Sequence, residues 1–240
     1  MEIFTQEGGI MLSRWGHYLA GVTWIGLLYY FNFVQVPSFA AFEAGPRTEA
    51  VRKLVPRALW YFRWGAVLTL LTGLMVLGFQ EQFDADYFKT PMGVSIASGI
   101  LLAVFMFGNV WMIIWPNQRR FIANAEATAA GKEADPAAAS WGRKALCASR
   151  TNTLFSIPML FFMGATSHFS VAFLNVNGEA DNPMLYLLGV LIVAVVFEAV
   201  ALTAPAAGAA QAWHLDSHRN TIIVGFAVAI AMILAMEVLL

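Results

Sequence analysis

The sequence predicts an all-α fold: a polytopic bundle of about six transmembrane helices, with both termini on the external side. Three observations carry this expectation. Charge is scarce, six apolar runs are each long enough to cross a bilayer, and the basic residues crowd into alternate loops.

Of 240 residues, 59% are hydrophobic and 12% are charged. Soluble domains carry about 25% charged residues. The mean hydropathy is +0.65, and an apolar surface of that extent finds its solvent in lipid. The formal net charge of −1 offers no electrostatic basis for binding nucleic acid. Cys147 is the single cysteine, so intramolecular disulfides, a C-x-x-C pair and a covalent C-x-x-C-H haem site are all excluded. Met1 to Ile10 holds Glu2 and Glu7 and no basic residue. That segment lacks a positive n-region, so the first apolar run is expected to be a retained span.

A helical crossing takes about 20 apolar residues. The runs are Met11–Val36, Leu59–Phe79, Gly93–Trp115, Asn152–Leu174, Met184–Pro205 and Thr221–Leu240. They are continuous rather than alternating, which favours helices over barrel strands. Pro37, Pro91, Pro116 and Pro183 punctuate the ends, where proline starts or stops a helix. Residues 1–240 therefore read as a single integral membrane domain. Segment 116–150 reads as a cytoplasmic loop whose alanine-rich stretch, Ala123–Ser140, forms a surface helix or a helical hairpin. Twelve of the fourteen basic residues fall in the loops between runs 1–2, 3–4 and 5–6 or beside them, leaving only Arg14 and Lys89 opposite. The positive-inside rule places those three loops in the cytoplasm, as expected in a bacterial inner membrane.

Ionisable residues inside spans are costly and functional by default. His17 lies six residues into run 1, and His168 lies six residues before the end of run 4. With the orientation above, both stand about 9 Å below the external face. Gly21 and Gly164 each lie four residues from their histidine toward the membrane centre, on the same helix face. Trp24 and Phe161, seven residues away, extend those faces as aromatic walls. Two imidazoles across a gap, over small residues, suit the axial ligation of a b-type haem. Two hydrogen-bonded interhelical histidines suit the same spacing. Glu198 in run 5 is a candidate for a proton path. His214 and His218, four residues apart, fit either a metal site or a polar helix end at the cytoplasmic surface. Asn32, Asn109 and Arg63 are polar groups expected to face the bundle. Trp60, Trp64, Trp111, Trp115 and Trp213 resemble an interfacial belt. No P-loop, dinucleotide fingerprint, Ser-His-Asp context or H-E-x-x-H occurs.

Several stretches in order carry a family resemblance. They are Arg14-Trp15-Gly16-His17 with Thr23-Trp24-Ile25-Gly26, Trp60-Tyr61-Phe62-Arg63-Trp64 before Thr72-Gly73, Trp115-Pro116-Asn117-Gln118, Ser149-Arg150-Thr151-Asn152 through Ser156-Ile157-Pro158, and Ser167-His168. Together they resemble the N-terminal membrane domain of the cytochrome-c-linked urate oxidases. The resemblance implies an integral membrane oxidoreductase that passes electrons from a small reductant, urate-like or a quinol, toward a c-type cytochrome outside the membrane. This chain looks like a short form without the cytochrome domain, so that partner is expected to be a separate protein. It departs from the family pattern at Ala97 and Thr151, where similar proteins carry histidines. The rival expectation is a cofactor-free accessory subunit of a larger respiratory or photosynthetic complex. A third is a metal or solute carrier using His214, His218 and Glu198.

Overall fold

The computed structural model describes residues 2–168, 181–203 and 208–240. Among them every regular element is helical. Helix α1 (Gln6–Tyr29) runs through a π-helical turn (Tyr30–Gln35) into α2 (Val36–Ala41). Helix α3 (Ala44–Lys53) leads into α4 (Val55–Phe79). Helix α5 (Pro91–Gly108) runs through a second π turn (Asn109–Ile114) into α6 (Trp115–Ala129). Then follow α7 (Ala138–His168), α8 (Pro183–Thr203) and α9 (His218–Leu239).

Pro37 and Pro116 do not end their helices, as the sequence suggested. Each sits second in the helix that follows a π turn. A proline ring clashes with the carbonyl four residues back and lacks an N–H. The widened turn just upstream absorbs that misfit, so the helix continues. In both places an asparagine amide also enters the backbone ladder, another recognised cause of helix distortion. Asn32 Nδ2 donates to the Leu28 carbonyl at 2.9 Å, and Asn152 Nδ2 donates to the Met106 carbonyl at 2.9 Å. The apolar runs therefore belong to longer helical rods, Gln6–Ala41 and Pro91–Ala129. Segment 116–150 folds into the ends of α6 and α7, joined across 130–137.

Five helical rods among the described residues are long and apolar enough to cross a membrane: Gln6–Ala41, Ala44–Phe79, Pro91–Ala129, Pro183–Thr203 and His218–Leu239. Helix α7 has the length, at 31 residues, but is more polar. Its position explains the difference. It packs against α1, α5, α6, α8 and α9, and its middle, from Ala145 through Phe162, is almost wholly buried. A helix wrapped in protein can keep polar groups that a lipid-facing helix cannot. The end of the expected fourth run (169–174), Glu179 in the following loop, and Pro205 lie outside the described residues.

One apolar core joins Trp24, Leu28, Phe62, Val94, Leu102, Met106, Leu154, Phe155, Phe162, Tyr186 and Val190. Outside it, Leu68, Leu71, Leu188, Ile192, Val195, Ile223, Ile230 and Leu234 are exposed. An apolar outer surface is what lipid selects, with the polar side chains held inside among the apolar core. Helices α1 and α4 meet at small residues. A Cβ on Gly65 would stand 3.2 Å from the Trp24 backbone nitrogen, and one on Gly16 would stand 3.3 Å from Thr72. Without a water-driven force between helices, such close backbone approach is what packs them.

Candidate functional site

Three groups of polar side chains share the bundle. The first is the histidine level. His17 is half-buried on α1, and its Nδ1 lies 2.9 Å from the Thr69 carbonyl and 3.3 Å from Thr72 Oγ1 on α4. A carbonyl only accepts, so Nδ1 carries the proton and Nε2 keeps its lone pair. The Thr72 hydroxyl is itself committed to the Leu68 carbonyl at 2.6 Å. Gly73 completes the seat, because a Cβ there would stand 3.1 Å from His17 Cε1. His168 is the exposed last residue of α7. Beside Gly21 and Gly164, no atom of another element among the described residues lies within 4 Å of where a Cβ would stand. Trp24 is 1% exposed, and its Nε1 has no partner. Phe161 packs on the same apolar core as Trp24.

Helices α1 and α7 are tied lower down, where Tyr29 Oη and Ser156 Oγ lie 2.9 Å apart. His17 is twelve residues before Tyr29, and His168 is twelve residues after Ser156. Twelve residues of helix rise about 18 Å, so both histidines stand at a similar height above that tie. The fit of a haem can be judged at His17. A liganding imidazole donates its other N–H to a carbonyl or carboxylate, and His17 does so to Thr69. That bond is compatible with an axial ligand and equally with a histidine that packs α1 on α4.

The second group is a polar seam along α7. Ser149, Asn152, Thr153 and Ser156 recur at helical spacing and are all buried. Asn32, in the first π turn, donates to Ser149 Oγ at 2.8 Å. Asn109, which opens the second π turn, donates to Asn152 Oδ1 at 2.9 Å and to Glu198 Oε2 at 2.8 Å. Both π turns thus aim an asparagine at the same stretch of α7. Glu198 Oε1, Thr151 Oγ1 and Asn32 Oδ1 are buried acceptors without a partner. Sequence reasoning singled out Asn32, Asn109 and Glu198 but missed Asn152 and Ser149 as their partners. The i, i+3, i+4 spacing of α7's polar residues was the available signal.

The third group closes the end of the bundle at the link from α8 to α9. Arg143 on α7 pairs with Asp216 at 2.8 Å, and Asp216 also accepts from the Gly208 backbone at 2.8 Å. Arg150 donates to the Leu215 carbonyl. His214 lies in a short 3-10 helix (Ala210–Leu215), 5% exposed, with its ring edge-on to Phe197 at 5.3 Å. Burial pulls its pKa below the ordinary value, against a smaller upward pull from Asp216. His218 opens α9, with its ring 5.9 Å from that of Phe33. The chain breaks helix between the two histidines, so one continuous helix face does not present both. Among the described residues, no group of three or more His, Cys, Asp or Glu side chains gathers as a metal site.

The expected aromatic belt is partly a cluster. Trp64 and Trp111 meet edge-on at 6.0 Å, and Trp60 lies 6.3 Å from Trp64. Arg63 sits over Trp115 at 3.4 Å and beside Trp111 at 5.4 Å.

No curated protein and no solved structure matches the chain. One family does, described as urate oxidase N-terminal, over residues 83–235. The match takes in α5 to α9, with His168, Asn109, Asn152, Glu198 and His214, and leaves His17 and α4 before it. It covers more than half of the chain, which therefore belongs to the urate oxidase N-terminal family.

Proposed function

We propose that this chain is a six-span redox protein of a bacterial inner membrane, with α7 as the sixth span and both termini outside. His17 and His168 would hold a b-type haem. Gly21 and Gly164 would leave room for it, and Trp24 and Phe161 would wall it. The observation that carries this reading is the His17 hydrogen bond. Its Nδ1–H is spent on Thr69, which fixes the ring and leaves Nε2 as the group able to ligate iron. The equal twelve-residue rise from the Tyr29–Ser156 tie adds support from the second helix. Bound there, a haem would supply one-electron transfer near the external face. That position suits delivery to a separate c-type cytochrome or another member of a respiratory chain, from a urate-like or quinol reductant.

The chain's own residues would handle protons. Glu198 is held by Asn109, with one oxygen left over in the bundle. A carboxyl so placed can take up and release a proton while Asn109 keeps it oriented. The rival reading, a cofactor-free accessory subunit, takes the same His17 bond as purely structural packing.

A reduced-minus-oxidised visible spectrum of haem-replete, detergent-purified protein decides between them. The expected result is a b-type α-band that is lost in His17→Ala and in His168→Ala. A protein without haem absorbance would leave the accessory reading standing. Reduction of the band by urate, or by a quinol, would then name the reductant.

A further inference from the structure

We propose that Arg63 and the indoles around it form a binding site for the phosphate of an anionic phospholipid headgroup; this rests on the membrane reading above. Arg63 stands eight residues into α4, about 12 Å along its axis. Its guanidinium lies over the Trp115 ring at 3.4 Å and beside Trp111 at 5.4 Å. Among the described residues only Nε is hydrogen-bonded, to the Leu59 carbonyl at 3.3 Å. Among the described residues no carboxylate pairs with it; the ion pairs found are Arg52–Glu49, Lys53–Glu49, Lys89–Asp86 and Arg143–Asp216. Trp111 Nε1, in the ring beside the guanidinium, is buried and has no partner among the described residues, so the donors left for a headgroup are the guanidinium's own.

A half-buried cation at the end of a span needs a counter-charge, and two indole faces supply only part of one. Stacking holds the guanidinium plane while its edge remains able to donate. A planar fork of N–H donors matches phosphate oxygens bidentately. Trp60 and Trp64, 51% and 43% exposed, flank the place as aromatic side chains do at headgroup depth. The cytoplasmic leaflet, to which the loop charges assign this end, is the one rich in anionic lipid. The phosphate is therefore taken to come from a lipid, whose acyl chains would lie along the exposed apolar surface of α4, rather than from free phosphate.

Native mass spectrometry and thermal unfolding of delipidated protein in a neutral detergent test this. Cardiolipin or phosphatidylglycerol is added, with phosphatidylcholine and inorganic phosphate as comparisons. The expected result is one retained anionic lipid per chain and a raised Tm. Retention should drop several-fold in Arg63→Gln and in Trp115→Ala, and by less in Arg63→Lys, which keeps charge without the fork. Arg47→Gln, an exposed basic residue on α3, should retain lipid like the parent. Equal retention by Arg63→Gln, equal loss in Arg47→Gln, or an equal Tm shift from inorganic phosphate would overturn the proposal. Arg63→Lys guards against a folding artefact, since it preserves length and charge. Release of the chain from membranes by carbonate alone would instead remove the membrane reading itself.

Discussion

Asn109 is the residue on which most of the buried polar order turns. One amide nitrogen serves both Asn152 and Glu198. Replacing Asn109 by Leu keeps the branching at Cγ, with some added bulk, but strands two acceptors in the bundle. Each buried hydrogen bond is worth about 1 kcal/mol net, and bilayer-embedded ones average about 0.6 kcal/mol. We expect N109L to lose about 1–2 kcal/mol, read as a lowered Tm in detergent, with Asn109→Asp less damaging at acid pH, where its carboxyl can donate. An unchanged Tm would remove Asn109 from the network. Residue-scale chemistry was half legible beforehand. Polar residues inside apolar runs announce themselves, so Asn32, Asn109 and Glu198 stood out. Their partners did not, because Ser149 and Asn152 sit where a run begins and look like its polar edge. Thr69 contributes a backbone carbonyl to His17, and a carbonyl is present at every position, so no sequence signal marks it.

At the scale of elements, the 3-10 helix Ala210–Leu215 behaves as a plug on the end of the bundle between α8 and α9. Leu215 and Ala212 pack with Cys147 and Ala201, Arg143 grips Asp216, and Thr221 Oγ1 donates to the His214 carbonyl at 2.7 Å. His214 is buried within this plug, and that burial holds its pKa below the ordinary 6.5 against a smaller upward pull from Asp216. As the pH falls through 6.5, the unfolded chain binds a proton that the folded chain resists, so stability declines. The decline continues down to the folded pKa and then levels off; above 6.5 the contribution is full and constant. Thermal unfolding across that window should show the slope in the parent and a flatter one in His214→Gln. A slope of the same size in His214→Gln would assign it elsewhere. The π turns are the element-scale features that the sequence concealed. Pro37 and Pro116 read as helix ends, because proline usually is one. Only the widened turn directly upstream, which has no compositional mark, lets the rods continue.

For the whole molecule, membrane character was plain from composition, and the match over 83–235 bears out the family; of the motifs that suggested it, those from Trp115 onward fall within the match. The bundle's centre was less visible. Apolar length marks helices that face lipid, and α7 faces mostly protein. Orientation is open to a direct measurement, because the single cysteine, Cys147, is buried and can be removed. In a Cys147→Ala background, Asp84→Cys should react with an impermeant maleimide in intact cells. Lys132→Cys should react only after the membrane is opened. Labelling of both from one side would refute the alternating topology. The polarity of α7 also bears on how the chain is made. A helix carrying Arg143, Arg150, Thr151 and Asn152 partitions poorly from a translocon into bare lipid. Helices α1, α4 and α5 emerge before it, but Glu198, which shares Asn109 with Asn152, and the α9 face at Gly225, which meets Leu154 and Ile157, emerge after it. Its crossing should therefore lag its synthesis and complete only when α8 and α9 arrive. A cysteine at Ser167 should be reachable from outside in the full chain and unreachable in one cut after Asn182. If so, the innermost helix is the last to take its place, and the order of assembly runs from the rim of the bundle inward.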